Sequence, residues 1–256
     1  DWSRTAISGA VSAGGLLAAL ITPFLGPLVD KHGARGILCI AVFLTALCSI
    51  LLSQTTSLIM FYILFCLARM NFAGPFDLGI YTAVNSWFIT KRPTAISIVT
   101  LVQMSGLTAM PLIAFIAMDQ SDWRTGWLTI GIVIISVGFI PNLLFMCRRP
   151  EDIGLYPDGS QYNVHKHSNN KDNSTEPNFT RSQAISKPSF WLLALFTALV
   201  FPVQAGISLH QAPHLIERGL SPAIAALVVS CFSLISGLSA LLYGYTIRRL
   251  GVKANL

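Results

Sequence analysis

Long runs of apolar residues alternate with short polar segments along the whole chain. Each run reaches or exceeds the roughly 20 residues that a helix needs to cross the hydrocarbon core of a bilayer. One run is too long for a single crossing, and the polar stretch SQTTS at 53–57 divides it. The second part then continues to about Phe88, so the pattern predicts seven transmembrane helices. The runs without Asp, Glu, Lys or Arg are 5–29, 36–68, 93–118, 125–147, 188–216 and 219–247.

The composition agrees with this pattern. Hydrophobic residues make up 53% of the 256 residues and charged residues only 11%, against roughly 25% charged in an ordinary soluble domain. Such a chain cannot cover itself with groups that water solvates, so we expect an all-α, multi-pass integral membrane protein whose main partner is the lipid bilayer. A plasma membrane or a bacterial inner membrane would suit it.

Catalytic and metal-binding signatures are weak. The five cysteines show no paired spacing, which argues against a disulfide or zinc framework. His210 and His214 have the spacing of a helical metal site, but Pro213 interrupts the helix and the glutamate of an HExxH motif is missing. We therefore expect no metal, no cofactor and no enzymatic activity.

The basic residues indicate an orientation, because cytoplasmic loops collect Lys and Arg. Most of the 17 basic residues fall on one side if the polar segment at 26–36 is cytoplasmic. The central polar segment is then cytoplasmic as well. The net charge of +6 describes one membrane face, and no nucleic-acid partner is expected.

The chain contains a degenerate internal repeat. Shifted by 218 residues, GPLVDKHGAR at 26–35 falls on GYTIRRLGVK at 244–253. About six spans per period imply two six-helix halves of the kind seen as parallel repeats in transporters. We therefore expect seven helices of a total of twelve, without the first helix and about the last four. The domains would be a first half at 1–147 (helices 2 to 6), a cytoplasmic and partly disordered linker at 148–187, and the start of a second half at 188–256 (helices 7 and 8).

The segment at 26–35 resembles the loop between the second and third helices of the major facilitator superfamily, whose pattern is Gly-x-Leu-x-Asp-x-x-Gly-x-Arg. The segments DWSRTAIS at 1–8, WFITKRPTA at 87–95, RRPEDIGLYPDG at 148–159 and LHQAPHLIERGLS at 209–221 resemble the monocarboxylate-porter and oxalate/formate-antiporter branch. The resemblance implies a secondary transporter in which two helical halves rock about a central site. It also implies a gating motif that holds the cytoplasmic side closed, with Gly26, Asp30, Gly33 and Arg35 as its residues.

Elementary chemistry allows the loop to act as a reversible latch. Asp30 can pair with Arg35 or lie at a neighbouring helix N-terminus, where an anion contributes roughly 0.3 to 1 kcal/mol. Gly33 would permit the tight turn and Gly26 a close helix approach. The alternative is that these charges only set the topology. In the family the acid of this loop meets a helix of the second half, which we expect this chain to lack.

Arg69 is the strongest candidate for a substrate-binding residue. It lies about eleven residues into its span, where a charge costs at least roughly 2.5 to 3.5 kcal/mol on insertion scales. A carboxylate substrate bound by the guanidinium fork would offset this cost. The alternatives are a buried protein acid or carbonyl groups at a helix end.

Asp77 is the candidate for proton coupling. It follows Arg69 by eight residues, which places it about 12 Å further along an ideal helix and about 80° around it. Direct pairing with Arg69 is not expected unless Gly74 and Pro75 break the helix, since Pro removes a backbone hydrogen bond. The alternative is a solvated acid near the cytoplasmic mouth.

Two glutamines lie at a depth comparable with Arg69. Gln103 and Gln204 could donate hydrogen bonds to a small anion, and either could instead hold neighbouring helices together. The small residues Ser233, Gly237, Ala240 and Gly244 indicate helix packing. The resemblance has one gap, because the acid and arginine that animal lactate porters carry in their eighth helix have no counterpart in 219–247.

We therefore predict a secondary transporter that moves a small organic anion by alternating access, with a coupled proton or an exchanged anion. The alternative is a seven-helix receptor or another polytopic membrane protein without transport activity. The internal repeat argues against a receptor, and the absence of lysine from 219–247 argues against a retinal protein.

Overall fold

The structure is a computed structural model that describes residues 4–119, 121–159 and 181–250. Within these ranges seven helices are long and apolar enough to cross a membrane, which confirms the predicted fold class. Two of the spans each combine two α-helices, joined in both cases by a short π-helical segment. The α-helices are α1 (Arg4–His32), α2 (Ala34–Leu52), α3 (Leu58–Asn71), α4 (Asp77–Trp87), α5 (Arg92–Asp119), α6 (Trp123–Val133), α7 (Ile140–Phe145), α8 (Arg181–Ile185), α9 (Pro188–Glu217) and α10 (Pro222–Leu250).

The polar stretch at 53–57 ends α2 and starts α3, as its composition predicts. The Ser57 hydroxyl accepts a hydrogen bond from the backbone N–H of Met60 at 3.2 Å and so caps α3. Asp122 caps α6 in the same way, with its carboxylate accepting from the N–H groups of Arg124 and Thr125. Short polar side chains satisfy the free N–H groups of a helix start, which fixes where these spans begin.

Two spans contain a π segment near a proline. Phe72–Phe76 joins α3 to α4 and includes Pro75, so the break predicted at Gly74 and Pro75 is present in this form. Ile134–Phe139 joins α6 to α7, and Pro141 lies in the first turn of α7. Since proline has no N–H to donate one turn back, the backbone hydrogen bonds regroup around it.

The described residues of the predicted linker include short helices. Two 3-10 helices, Pro150–Ile153 and Pro157–Gly159, follow α7, and α8 precedes α9. The expectation of disorder in 148–187 falls mainly on 160–180, which lie outside the described residues.

Backbone contacts divide the chain into two compact units. The first comprises 1–161 and 230–256, and the second comprises 162–229. A buried apolar cluster of the first unit lies between α1, α2 and α3 and includes Ala10, Leu52, Phe61 and Leu64. In the second unit most side chains of α9 are exposed. The domain boundaries at 147 and 187 remain predictions.

The small residues of α10 pack against α5, which confirms their interpretation as a packing stripe. A Cβ on Gly237 would lie 2.9 Å from Cβ of Met104, and one on Gly244 would overlap the hydroxyl of Ser97. The hydroxyl of Ser230 donates to the carbonyl of Thr108 at 2.9 Å. The Thr108 hydroxyl donates to the Ser230 carbonyl at 3.2 Å, so the pair is reciprocal.

Candidate functional site

Arg69 lies in the last turn of α3, on the side that faces α1. A Cβ on Gly14 of α1 would lie 2.6 Å from Cβ and 2.9 Å from Cγ of Arg69, and 3.1 Å from the carbonyl oxygen of Cys66. The stem of the arginine therefore fits into a gap in α1 that exists because residue 14 has no side chain. The neighbouring Gly15 has no atom within 4 Å of the same hypothetical Cβ.

The guanidinium group of Arg69 is incompletely satisfied. Its Nε is buried without a hydrogen-bond partner among the described residues. Its Cζ lies 5.9 Å from the ring centroid of Phe72, at the outer limit of a cation–π contact. Buried polar atoms in proteins normally have partners, so this nitrogen marks a place where a ligand could supply one.

Asp77 begins α4 directly after the first π segment, so the segment Phe72–Phe76 separates it from α3. Its side chain is half-buried. It is near enough to Arg69 to interact with it electrostatically. The structure therefore brings these two predicted residues into one region of the same span.

Asn71 is a buried polar residue that the sequence reasoning missed. It is 4% exposed, and its Nδ2 donates to the Thr45 hydroxyl at 2.8 Å and to the carbonyl of Ala41. These bonds fasten the end of α3 to α2, two residues beyond Arg69. An amide inside an apolar span was the available signal, because such groups are stable there only when they are hydrogen-bonded.

The two candidate glutamines have different surroundings. Gln103 on α5 is half-buried in the first unit. Gln204 on α9 is exposed and belongs to the second unit. The described contacts do not bring Gln103 to Arg69, and the roles of both glutamines remain predictions.

The segment predicted to be a gating motif forms a turn of one residue between α1 and α2. Gly33 separates His32 from Ala34 and has a φ of 78°, in the left-handed region that favours glycine. Its N–H donates to the carbonyl of Val29 at 2.7 Å. The tight turn predicted at Gly33 is therefore present.

Arginines from elsewhere in the chain bind the carbonyl groups around this turn. Arg148 donates to the carbonyl of Lys31 at 2.6 Å, and Arg149 donates to that of Asp30 at 3.3 Å. Arg35 donates to the carbonyl of Leu143, near the end of α7, at 2.9 Å. Cations are favourable where a helix ends with free carbonyl groups. Arg35 thus binds a helix end. Its pairing with Asp30, one of the two arrangements considered for that acid, is not among the described contacts, and the side chain of Asp30 is exposed.

The close helix approach predicted at Gly26 is not found. A Cβ there would have no atom within 4 Å among the described residues. The close contact in this part of α1 occurs one turn earlier, where a Cβ on Gly74 would lie 2.6 Å from the Thr22 hydroxyl.

A second turn is held at the same end of the bundle by Asp158. Its carboxylate accepts hydrogen bonds from the backbone N–H groups of Ile89, Thr90 and Lys91, the shortest being 2.7 Å to Thr90. Desolvation alone would raise the pKa of Asp158, but the hydrogen bonds from Thr90, Lys91 and Ile89 outweigh it and lower this pKa. The start of the linker is therefore tied to the loop between α4 and α5.

Comparison with known proteins identifies the family. The chain is 27% identical over 249 residues to the membrane sensor protein UhpC of Salmonella typhimurium, an alignment that covers 90% of this chain and 54% of that protein. It is 25% identical over 252 residues to the membrane sensor protein UhpC of Escherichia coli, with 90% and 55% covered. The chain thus spans about half the length of these curated relatives. The family model described as Major Facilitator Superfamily matches residues 1–256. Together with the seven membrane helices and the one-residue turn at Gly33, this match shows that the chain belongs to the major facilitator superfamily.

Proposed function

We propose that the protein is a secondary active transporter that moves a small organic anion, a monocarboxylate, by alternating access. The observation that carries this proposal is Arg69, a half-buried arginine inside a membrane span whose Nε lacks a protein partner. Keeping a cation there costs at least roughly 2.5 to 3.5 kcal/mol. A bound anion would offset that cost.

A carboxylate suits this group because guanidinium presents its donors in a planar fork that matches two carboxylate oxygens. Asp77, in the same region, is the proposed carrier of a coupled proton, with exchange for a second anion as the alternative. Gln103 and Gln204 are the proposed hydrogen-bond donors to the remaining polar atoms of the substrate. The segments resembling the monocarboxylate-porter and oxalate/formate-antiporter branch support the choice of an organic acid.

The turn at Gly33 is the proposed gate, with Gly26, Asp30 and Arg35 as the other residues of its motif. The bonds from Arg148 and Arg149 to the end of α1 would keep this turn rigid while the two halves, 1–147 and 188–256, move relative to each other. On this proposal the turn and the linker face the cytoplasm.

The experiment measures uptake of labelled lactate, pyruvate, formate and oxalate by vesicles that carry the full-length protein. Arg69→Gln removes the charge and should reduce uptake of the transported acid by about tenfold or more, the size expected for a lost charge-assisted hydrogen bond. Arg218→Gln makes the same chemical change at an exposed position and should leave uptake unchanged. Normal uptake by Arg69→Gln, or uptake of neutral solutes only, would refute the anion site.

Solute sensing without transport is the second candidate function, because both relatives named above are membrane sensor proteins. A sensor would bind the labelled acid without accumulating it inside vesicles. Saturable binding that Arg69→Gln abolishes, combined with no flux in either direction, would favour sensing over transport.

A further inference from the structure

One face of α1 carries small residues at every fourth position. Ala10, Gly14, Ala18 and Thr22 follow this spacing, which places them on the same side of the helix. Ala10 is fully buried, and its carbonyl accepts a weak hydrogen bond from the thiol of Cys66 at 3.4 Å. Ala18 and Thr22 lie beside Gly74 of the first π segment. This face is therefore the surface on which the span containing Arg69 rests.

Within this face, Gly14 lies against Arg69. The nearest atoms are Cβ and Cγ of the arginine and the backbone oxygen of Cys66. These atoms belong to the backbone or lie next to it, so they cannot move aside as the end of a flexible side chain can. An added methyl group at position 14 would require α1 and α3 to separate or Arg69 to adopt another rotamer.

We propose that Gly14 is a positioning residue for the anion site: by leaving space for the Cβ and Cγ of Arg69, it fixes the direction in which the guanidinium group points. This inference rests on the proposed function, in which Arg69 binds the carboxylate of the substrate. Four bonds separate Cβ from the guanidinium carbon, so a small rotation at Cβ moves the charged end far. Gly14 therefore sets the affinity for the anion without touching it.

The test compares the kinetics of uptake for Gly14→Ala and Gly15→Ala in vesicles that carry the full-length protein. Labelled lactate, pyruvate, formate and oxalate are the probes. For the acid that is transported, Gly14→Ala should raise KM about tenfold, because misdirecting the fork forfeits a charge-assisted hydrogen bond, and should leave Vmax within about twofold. Gly15→Ala, with open space at the same point, should change neither value.

Gly9→Ala distinguishes positioning from general disturbance of the helix contact. A Cβ on Gly9 would lie 2.8 Å from the hydroxyl oxygen of Tyr62, so this variant perturbs the packing of α1 on α3 away from Arg69. It should leave KM unchanged. Equal KM values for Gly14→Ala and Gly9→Ala would overturn the inference.

The remaining outcomes separate this inference from the proposed function. If Arg69→Gln abolishes uptake while Gly14→Ala keeps the KM of the parent, Gly14 has no positioning role and the proposed function stands. If Arg69→Gln transports normally, the proposed function and the positioning role of Gly14 both fail. If Gly14→Ala does not fold, Arg69→Gly is added to it, which removes the opposing Cβ. Recovery of folded protein by this double change supports the contact as the constraint on Arg69, and failure to recover overturns it.

Discussion

The side chain of Arg148 lies directly over the backbone of Gly33. A Cβ on Gly33 would come within 3.1 Å of Nε and 3.2 Å of Cδ of this arginine. The same arginine donates to the carbonyl of Lys31 at 2.6 Å. Gly33 is therefore required twice, for its backbone conformation and for the space that it leaves to the arginine.

We expect Gly33→Ala to destabilise the protein. A positive φ combined with an extended ψ (78° and 169°) costs a residue with a Cβ about 1 to 3 kcal/mol, and the new methyl group would displace Arg148. Gly36→Ala is the matched control, because Gly36 is helical and has no atom within 4 Å of a hypothetical Cβ. Thermal unfolding of the two purified variants in detergent measures the difference. Equal melting temperatures would show that the turn tolerates a side chain.

Asp158→Asn should loosen the loop between α4 and α5 in a pH-dependent manner. The hydrogen bonds lower the pKa of Asp158 in the folded protein, so the stability that they contribute is present above the usual aspartate pKa. This contribution is lost as the pH falls through the lowered pKa. The difference in melting temperature between the parent and Asp158→Asn should therefore be largest near neutral pH and shrink in acid.

Asp152→Asn provides the control for that experiment, since Asp152 is an exposed acid of the same segment. It should show no comparable pH-dependent difference from the parent. A difference for Asp158→Asn that stays constant across the acid range would contradict the assignment of the effect to the carboxylate.

Asn71→Leu should weaken the contact between α2 and α3. It removes the hydrogen bonds to Thr45 and Ala41, and interhelical hydrogen bonds in membranes average roughly 0.6 kcal/mol, with a maximum of about 1.7. Asn85→Leu makes the same change at an exposed position of α4. A melting temperature lowered for position 71 but not for position 85 is the expected result. A melting temperature lowered for position 85 but not for position 71 would show that Asn71 has no packing role.

Gly237→Ala should disturb the packing of α10 on α5. The methyl group would lie 2.9 Å from Cβ of Met104, and overpacking of this kind costs typically 1 to 3 kcal/mol. Gly206→Ala, where the structure leaves open space, should be neutral or slightly stabilising because alanine favours helices. Comparison of the two melting temperatures in detergent tests the contact. The close contact at Gly237 is refuted if the melting temperature of Gly237→Ala is no lower than that of Gly206→Ala.

The number of spans and their breaks could be predicted because they depend on local composition. The stretch at 53–57 ends one helix and starts the next, and the small residues of α10 face a neighbouring helix as expected. The π segment at Phe72–Phe76 was foreseeable as a break at Pro75. The segment at Ile134–Phe139 could not be predicted from the nearby Pro141. A proline alone does not indicate such a break, because Pro23, Pro111 and Pro202 lie inside regular α-helices.

The contacts around the site could not be predicted because they join residues far apart in the sequence. Nothing local to Arg35 indicates that it binds the carbonyl of Leu143, which is 108 residues away. The role of Gly14 depends on how closely α1 and α3 pack, and the expectation of a close approach at Gly26 failed for the same reason. Arg69 was identifiable because a charge in an apolar span is conspicuous by itself.

The first π segment changes the angular phase of its span. A π turn holds about one residue more than an α turn. Asp77 is eight residues after Arg69, but the extra residue gives it the direction that a residue seven positions away would have in a regular helix. Seven positions at 3.6 residues per turn bring a side chain to within about 20° of its starting direction, rather than about 80° for eight. The extra residue in Phe72–Phe76 thus aligns the arginine and the aspartate along one line of the span. A regular α-helical path through the same eight residues would turn the acid away from the arginine while leaving both in the chain.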